Sequence, residues 1–285
     1  MINPRYKKVH VLNTIIYIIF IAISIISIYP IIYIIINSMK TQKELAFNLL
    51  GLPKSLNLTN YITAFNKSDI FNNFKTTFII SVTSTIILLI VTILAAFCLA
   101  KLDIRFFKHK MNINFYKFFI IGLLVSEHLS ITPLIFLLSR FKLSGNIFIV
   151  IIIFSSFSIP FGIFVLYGFF KEIPDELLDA SKIDGANNIN VLFNIVLPLS
   201  KGAISSVTIV HMLWVWNDFL IPLIFLQGSK YKTLTYGLFL FKQKYQSDWP
   251  VIFSYSLIQI IPIFVLFIFL QRYFLKGVMA GAIKG

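Results

Sequence analysis

Long apolar runs recur along the sequence and restrict the chain to very few folds. The runs lie near residues 12–36, 77–100, 116–138, 147–170, 203–226 and 251–271. Each holds roughly 20 or more residues, which at ~1.5 Å per helical residue crosses the ~30 Å hydrocarbon core of a bilayer. Lipid admits only helices and closed barrels, and these runs lack the period-two alternation of barrel strands. The sequence therefore predicts an all-α polytopic membrane protein with six transmembrane helices.

The first run, near 12–36, is expected to be a retained N-terminal anchor helix. It is too long for the ~7–15-residue apolar core of a signal peptide, and no cleavage site of the A-x-A kind follows it. No internal repeat, low-complexity tail or second polar domain is visible. We therefore expect a single transmembrane domain over residues 1–285, with its core near 71–275.

The net charge of +14 does not indicate a nucleic-acid partner, because the basic residues are scattered among the loops. The densest basic cluster is "KLDIRFFKHK", at 101–110, in a short loop between the second and third runs. Short cytoplasmic loops are enriched in Lys and Arg. We therefore expect the loop at 101–110 to be cytoplasmic, and with six spans both chain termini then lie in the cytoplasm as well.

A polar stretch interrupts the apolar pattern at residues 171–202, "KEIPDELLDASKIDGANNINVLFNIVLPLSKG", and we call it the polar island. The chain has eleven acidic residues, and five of them fall within thirteen positions here: Glu172, Asp175, Glu176, Asp179 and Asp184. Such a concentration of acids in an apolar chain calls for a specific explanation.

Local signals in the polar island predict two short helices joined by a glycine turn. Pro174 suits the first helical position, and Asp175 favours the positive end of the helix. Gly185 is the expected stop, and Asn187 or Asn188 is the expected cap of the second helix. Spacing predicts an apolar stripe on each helix, with Pro198 closing the second: Ile173, Leu177, Ala180 and Ile183, then Ile189, Leu192, Phe193 and Val196.

Two interpretations fit such a helix pair. One is an interfacial linker that only joins two spans. The other is a docking surface for a protein, which the acidic face favours because anionic lipid would repel it.

The polar island resembles the EAA loop of permease subunits of ATP-binding-cassette importers, written EAA-x3-G-x9-I-x-L-P. The pattern falls here, with every spacing kept, on Asp179, Ala180, Ser181, Gly185, Ile195, Leu197 and Pro198. Asp179 replaces the family's Glu and Ser181 replaces its second Ala, and both replacements conserve charge or size. Three other stretches resemble the carbohydrate-importer branch of the maltose-system type: "SLNLTNYITAF", "WNDFLIPLIFL" and "QRYFLKGVMAGAIKG".

The resemblance implies a type I importer permease fold in a bacterial plasma membrane. In that fold the coupling loop, near 171–200 within the polar island, lies in the cytoplasm and forms a coupling helix that docks into a groove of an ATPase subunit. The implied partners are a second homologous permease, a cytoplasmic ATPase dimer, an extracellular solute-binding protein and a sugar. The tail at 276–285 is implied as a second ATPase contact.

The chain is expected to be a transport subunit without enzymatic activity. No Gly is followed by Lys, so the phosphate-binding pattern G-x4-G-K-[ST] is absent, and ATP and Mg²⁺ would belong to the partner. We predict no bound cofactor and no metal. The four histidines lack H-E-x-x-H spacing, and Cys98 is the single cysteine.

Five polar residues within the apolar runs are candidates for a translocation path: Glu127, His128, His211, Asn217 and Asp218. Ionisable groups inside membranes are costly and often functional. Hydrogen bonds between helices, or a place near the aqueous interface, would also explain them. Because Glu127 and His128 are adjacent and face different directions on a helix, we expect that both cannot point at one cavity centre.

Two other functions stay open. A membrane receptor could dock a cytoplasmic signalling protein through the same island, and an importer permease could carry a solute other than a sugar.

Overall fold

The computed structural model describes residues 4–102, 109–244 and 248–282, and over these ranges the chain is helical, with no strand. Side chains are described for 13–102, 112–242, 248–265 and 267–269. The helices are α1 (Pro4–Ser38), α2 (Gln42–Phe47), α3 (Thr59–Lys67), α4 (Ile70–Lys101), α5 (His109–Gly122), α6 (Glu127–Arg140), α7 (Ile147–Lys171), α8 (Asp175–Ile183), α9 (Asn188–Val191), α10 (Leu197–Leu199), α11 (Lys201–Asn217), α12 (Leu220–Phe225), α13 (Leu234–Lys244) and α14 (Trp249–Ala282). A π-helical turn, Leu192–Val196, joins α9 to α10.

The helices group into two compact units. The first comprises Met1–Asp69 and Leu238–Ile260, and the second comprises Ile70–Gly237 and Ile261–Gly285. The polar island and all five candidate path residues belong to the second unit. The single-domain organisation stays a prediction.

In the first unit, side chains hold the segment that follows α1. The amide of Asn60 donates to the carbonyl oxygens of Ser38 and Lys40, at 2.7 and 2.8 Å. Lys40 is fully buried, and its ammonium donates to the carbonyl of Asn48 at 2.7 Å. The Asn60 bonds satisfy carbonyls at and just after the end of α1, and the Lys40 bond satisfies a carbonyl at the end of α2.

The second unit is built on the packing of α4 against α7, its most extensive helix contact. Gly162 of α7 faces Thr92 of α4, and a Cβ added at Gly162 would lie 2.6 Å from the Thr92 methyl carbon. Small residues at helix interfaces let backbones approach closely in membranes. Packing of α4 on α7 therefore depends on the missing side chain.

The third apolar run is not one helix, so the expected span at 116–138 is wrong in its continuity. Two helical segments, Asn112–Gly122 and Glu127–Arg140, meet at 89°. The residues between them form a turn with hydrogen bonds between residues three apart, such as the one from Val125 N–H to Gly122 C=O. At the corner, a Cβ on Gly122 would lie 2.8 Å from Pro160 of α7. Neighbouring Leu and Val residues hid this corner, because their apolar character is the same in a turn and in a helix.

The fifth run is also interrupted, and the expected span at 203–226 is corrected accordingly. α11 ends at Asn217, and Asp218 is extended, with ψ at 133°. The Asp218 carboxylate accepts the backbone N–H of Ile221 at 2.9 Å. Its carbonyl accepts the hydroxyl of Thr235 at 2.7 Å. An aspartate that serves as a turn acceptor breaks a helix that hydropathy alone would continue.

Four helices in the described part of the chain are long and apolar enough to cross a membrane without a break: Asn13–Ser38, Ile70–Lys101, Ile147–Lys171 and Trp249–Phe269. The number rises to six if each bent pair, the one at the third run and Asn188–Leu199 with Lys201–Asn217, is one span. The chain is thus an all-α protein with several candidate membrane helices, and the count of six stays a prediction.

Candidate functional site

The polar island folds as two helices around a glycine, as its local signals predict. Gly185 has a φ of +83°, the left-handed conformation that glycine adopts without strain. Asn187 caps the second helix, with its side chain accepting the backbone N–H of Asn190 at 2.8 Å. Pro174 immediately precedes α8 instead of occupying its first position, so that prediction is wrong by one residue.

The second island helix contains a π-helical turn that the sequence did not reveal. Leu197 donates its N–H to the carbonyl of Leu192, five residues back, just before Pro198. Proline cannot donate and crowds the preceding turn, so a widened turn accommodates it. The helical run ends at Leu199, one residue beyond the expected stop at Pro198.

The packed face of α8 differs from the expected one. Leu178, 3% exposed, inserts into the apolar core, whereas Leu177 and Ile183 are 49% and 87% exposed. Ala180 is also exposed, and of the predicted stripe only Ile173 is buried. A nine-residue helix has too few turns for spacing to choose between adjacent leucines.

The second predicted stripe is divided in the same way. Leu192 and Val196 are buried, and Ile189 and Phe193 are exposed. The island therefore presents apolar side chains on both of its helices to the outside of this chain. Exposed apolar patches of this kind mark interaction surfaces.

The motif residues lie in three environments. Asp179, Ala180, Gly185 and Pro198 are exposed, whereas Ser181, Ile195 and Leu197 are partly buried. Asp179 accepts from the Lys182 ammonium at 3.2 Å, and the Ser181 hydroxyl donates to the carbonyl of Leu178 at 2.7 Å. Asp179, Ala180 and Gly185 are thus accessible to a partner.

Lys101, the last residue of α4, is a contact that the sequence analysis missed. Its ammonium donates to the carbonyl of Ile173 and to Oδ1 of Asp175, both at 2.6 Å. The Lys101 side chain is 3% exposed, although Asp175 is 77% exposed. The only signal for this contact in the sequence is a lysine at the end of an apolar run. The contact is hard to predict because the partners of Lys101 lie more than 70 residues away.

A cavity of about 450 Å³ brings together three of the five candidate path residues. Glu127, His128 and His211 line it, together with Trp214 of α11. Glu127 and His128 both line this cavity from the first turn of α6, where the Glu127 side chain is 6% exposed and the His128 side chain is 63% exposed. That the two side chains cannot both point at the cavity centre stays a prediction.

The lining groups differ in how they are satisfied. His211 is 1% exposed, and its ring nitrogens lie 3.1 Å from the Ser84 hydroxyl and 2.7 Å from the Ser158 hydroxyl. Glu127 is 6% exposed, and its Oε1 lies 3.9 Å from Nδ1 of His128. Within the described residues its Oε2 has no hydrogen-bond partner.

Asn217 and Asp218 do not line this cavity. The Asn217 amide donates to the carbonyl of Leu213, and Asp218 serves the turn before α12. Among the described residues, no group of three or more His, Cys, Asp and Glu is placed to hold a metal ion.

Known proteins are similar to this chain in both sequence and fold. A putative permease protein from a Caldicellulosiruptor species is 32% identical, over 94% of this chain and 96% of that protein. A probable permease of a starch degradation products transport system from Thermoanaerobacterium thermosulfurigenes is 31% identical, over 98% and 99%. A crystal structure of a bacterial alginate importer superposes with a TM-score of 0.73 at 20% identity, covering 96% of this chain and 99% of that one.

One family description covers most of the chain. Residues 61–280 match the "binding-protein-dependent transport system inner membrane component" family. This range includes the whole polar island, the corner in the third run and the cavity. The chain therefore belongs to the family of inner-membrane permease components of binding-protein-dependent transport systems.

Proposed function

We propose that this chain is the permease subunit of an ATP-binding-cassette importer for a carbohydrate and forms half of the translocation path. Membership of the family supports transport, and the relative that serves starch degradation products supports a sugar cargo. The chain itself is a transport component, without an ATPase site of its own. ATP and Mg²⁺ are used by the partner ATPase, and this subunit binds no cofactor.

The observation that carries the proposal is the exposed face of the polar island. Leu177 and Ile183 present apolar surface beside Ala180, whose small side chain lets a partner approach closely. Burying apolar area contributes about 25 cal/mol per Å², so binding of a protein partner over this face would be favourable. Asp179 and Gly185 border the face and complete the proposed contact.

The second half of the EAA pattern has a supporting role in this proposal. Ile195 and Leu197 are half-buried, and Leu197 packs against the buried cluster that includes α4 and α7, next to Pro198 in the last turn of the second island helix. The Ser181 hydroxyl is hydrogen-bonded to the carbonyl of Leu178 within α8, and in this proposal it stabilises the helix that carries the contact face.

Movement of the docked island would reach the membrane helices through the core. Leu178, Leu192 and Val196 belong to one buried cluster with Phe97 of α4 and Leu166 of α7. Close-packed interiors transmit displacement instead of absorbing it. Closure of the ATPase would therefore shift α4 and α7 and alternate the access of the path.

The remaining partners follow from the same proposal. A second homologous permease would complete the path, and an extracellular solute-binding protein would deliver the sugar. Both termini would lie on the cytoplasmic side of a bacterial plasma membrane. The proposed second ATPase contact, at 276–285, lies outside the described side chains.

For the translocation path, the cavity favours Glu127 and His128 as the groups that meet cargo. Glu127 offers a carboxylate oxygen that can accept a sugar hydroxyl, and Trp214 offers an aromatic face. His211 would hold the helices around them. Asn217 and Asp218 would shape the neighbouring turn.

Inserting one alanine between Ser181 and Gly185 tests the docking proposal. It rotates Gly185 by ~100° relative to Asp179 and destroys their common surface. We expect co-purification of the ATPase to fall at least ~10-fold while membrane insertion persists. Undiminished co-purification would refute docking through the island and favour a receptor that tolerates other spacings. Uptake of labelled maltotriose against labelled amino acids by the intact complex separates a sugar cargo from another solute.

A further inference from the structure

Within the part of the chain that the structure describes, the coupling helix α8 inserts a single side chain into the core. Between Asp175 and Ile183 only Leu178 is buried. Among the described residues, a cavity of about 380 Å³ lies between one side of the helix and the neighbouring ends of α4, α5 and α7, with Lys101, Asn112 and Lys171 in its lining. A helix with open space behind it can tilt unless a specific contact holds it.

Lys101 supplies such a contact across this space. Its two hydrogen bonds of 2.6 Å end on the residues that bracket Pro174, where α8 begins. One acceptor is the backbone carbonyl of Ile173, so half of the contact survives any side-chain change on the island. Charge-assisted bonds are roughly twice as strong as neutral ones, and burial of the ammonium strengthens them further.

The position of Lys101 in the chain means that the contact joins the ends of two helices. It is the last residue of α4, a 32-residue helix, and a cation there also favours the negative end of that helix. Asp175 lies at the positive end of α8. The two helix ends are thus joined by a pair in which each charge also suits its own helix.

We propose that Lys101 is a positioning residue that ties the first turn of the coupling helix to the end of α4, so that the two move together. This rests on the proposed function, because it assigns a route for the movement that docking starts. Without Lys101, α8 would keep its apolar plug, Leu178, but could tilt into the cavity. ATPase binding would then persist while its movement no longer reached α4 in full.

A spin-label distance between the two helices tests the tie. Cysteines replace Leu94 of α4 and Glu176 of α8, both exposed, after Cys98→Ala removes the native thiol. The complex with the co-purifying ATPase is measured in lipid nanodiscs, with and without ATP and Mg²⁺. In the otherwise native chain we expect one narrow distance that ATP does not change.

Lys101→Met should at least double the width of that distance distribution, or make it shift on addition of ATP, while ATPase co-purification stays within ~2-fold of wild type. Asp175→Asn, which spares the bond to Ile173, should give a smaller effect. Lys182→Met, which removes an exposed lysine paired with Asp179 on the same helix, should match wild type. A lysine that only stabilised the fold would lower yield without making the distance respond to ATP.

An ATP-independent, narrow distance in Lys101→Met would overturn the tie. If Lys101→Met fails to insert, Asp175→Asn is the test, because Asp175 is exposed and its replacement does not threaten folding. A distance distribution for Asp175→Asn that matches the otherwise native chain would then overturn the tie. Loss of ATPase from the otherwise native chain would instead refute the proposed docking, so the two failures are distinguishable.

Discussion

Nδ1 of His211 lies 2.7 Å from the hydroxyl of Ser158, and this bond joins α11 to α7 inside the second unit. Nε2 of the same ring meets Ser84 of α4, so one imidazole connects three helices. A polar group placed in this way satisfies its own hydrogen bonds and fixes the spacing of its neighbours. The residues around the cavity are therefore held at distances that one side chain helps to set.

Replacing this histidine tests that role. We expect His211→Leu to lower the free energy of unfolding by about 1–2 kcal/mol, because interhelix hydrogen bonds in membranes contribute about 0.6 kcal/mol on average and up to about 1.7. Unfolding in mixed micelles measures the change. His128→Leu, at a largely exposed side chain, is the control and should change stability by less than about 0.5 kcal/mol. Equal effects of the two substitutions would contradict the connection.

The packing of α4 on α7 gives a matched pair of glycines in one helix. Gly162→Ala would push a Cβ into Thr92, and we expect a loss of about 1–3 kcal/mol from overpacking. Gly168→Ala meets no atom within 4 Å and should be neutral, or stabilising by up to about 1 kcal/mol, through better helix propensity. Thermal unfolding of the purified subunit compares them. If both behave alike, the close approach at Gly162 is not what holds the pair.

The turn of the polar island offers a second matched pair. Gly185 and Gly228 have φ values of +83° and +75°, and neither has a neighbouring atom where a Cβ would stand. Valine at either site pays about 1–2 kcal/mol of backbone strain. Only Gly185→Val should also reduce ATPase co-purification, by about 10-fold, because it distorts the docking turn. A similar loss in Gly228→Val would show that strain, and not the docking turn, causes the effect.

Two adjacent leucines of α8 should separate folding from docking. Leu178→Ala opens a buried cluster and should cost about 2–5 kcal/mol of stability. Leu177→Ala removes exposed surface, so stability should hold while ATPase association weakens several-fold. Melting temperature and co-purification are measured on both variants. The opposite pattern would mean that α8 is inserted with its other face toward the membrane helices.

These contrasts show which features were readable from sequence. The turn at Gly185 and the cap at Asn187 were predicted because both depend on local backbone chemistry. The choice of Leu178 over Leu177 was not, since it is made by a core assembled from distant helices. The partners of Lys101 were hidden for the same reason. The corner after Gly122 was hidden because a membrane run gives no polar alternation to mark where it bends.

The widened turn between Leu192 and Leu197 has a consequence for any systematic scan of the polar island. Residues beyond it are out of phase with a regular helical wheel drawn from Asn188, because one carbonyl there is reached from five residues away. Sensitivity along positions 188–199 should therefore not follow a single period. It should follow one period up to Leu192 and the same period, slipped by one residue, after it.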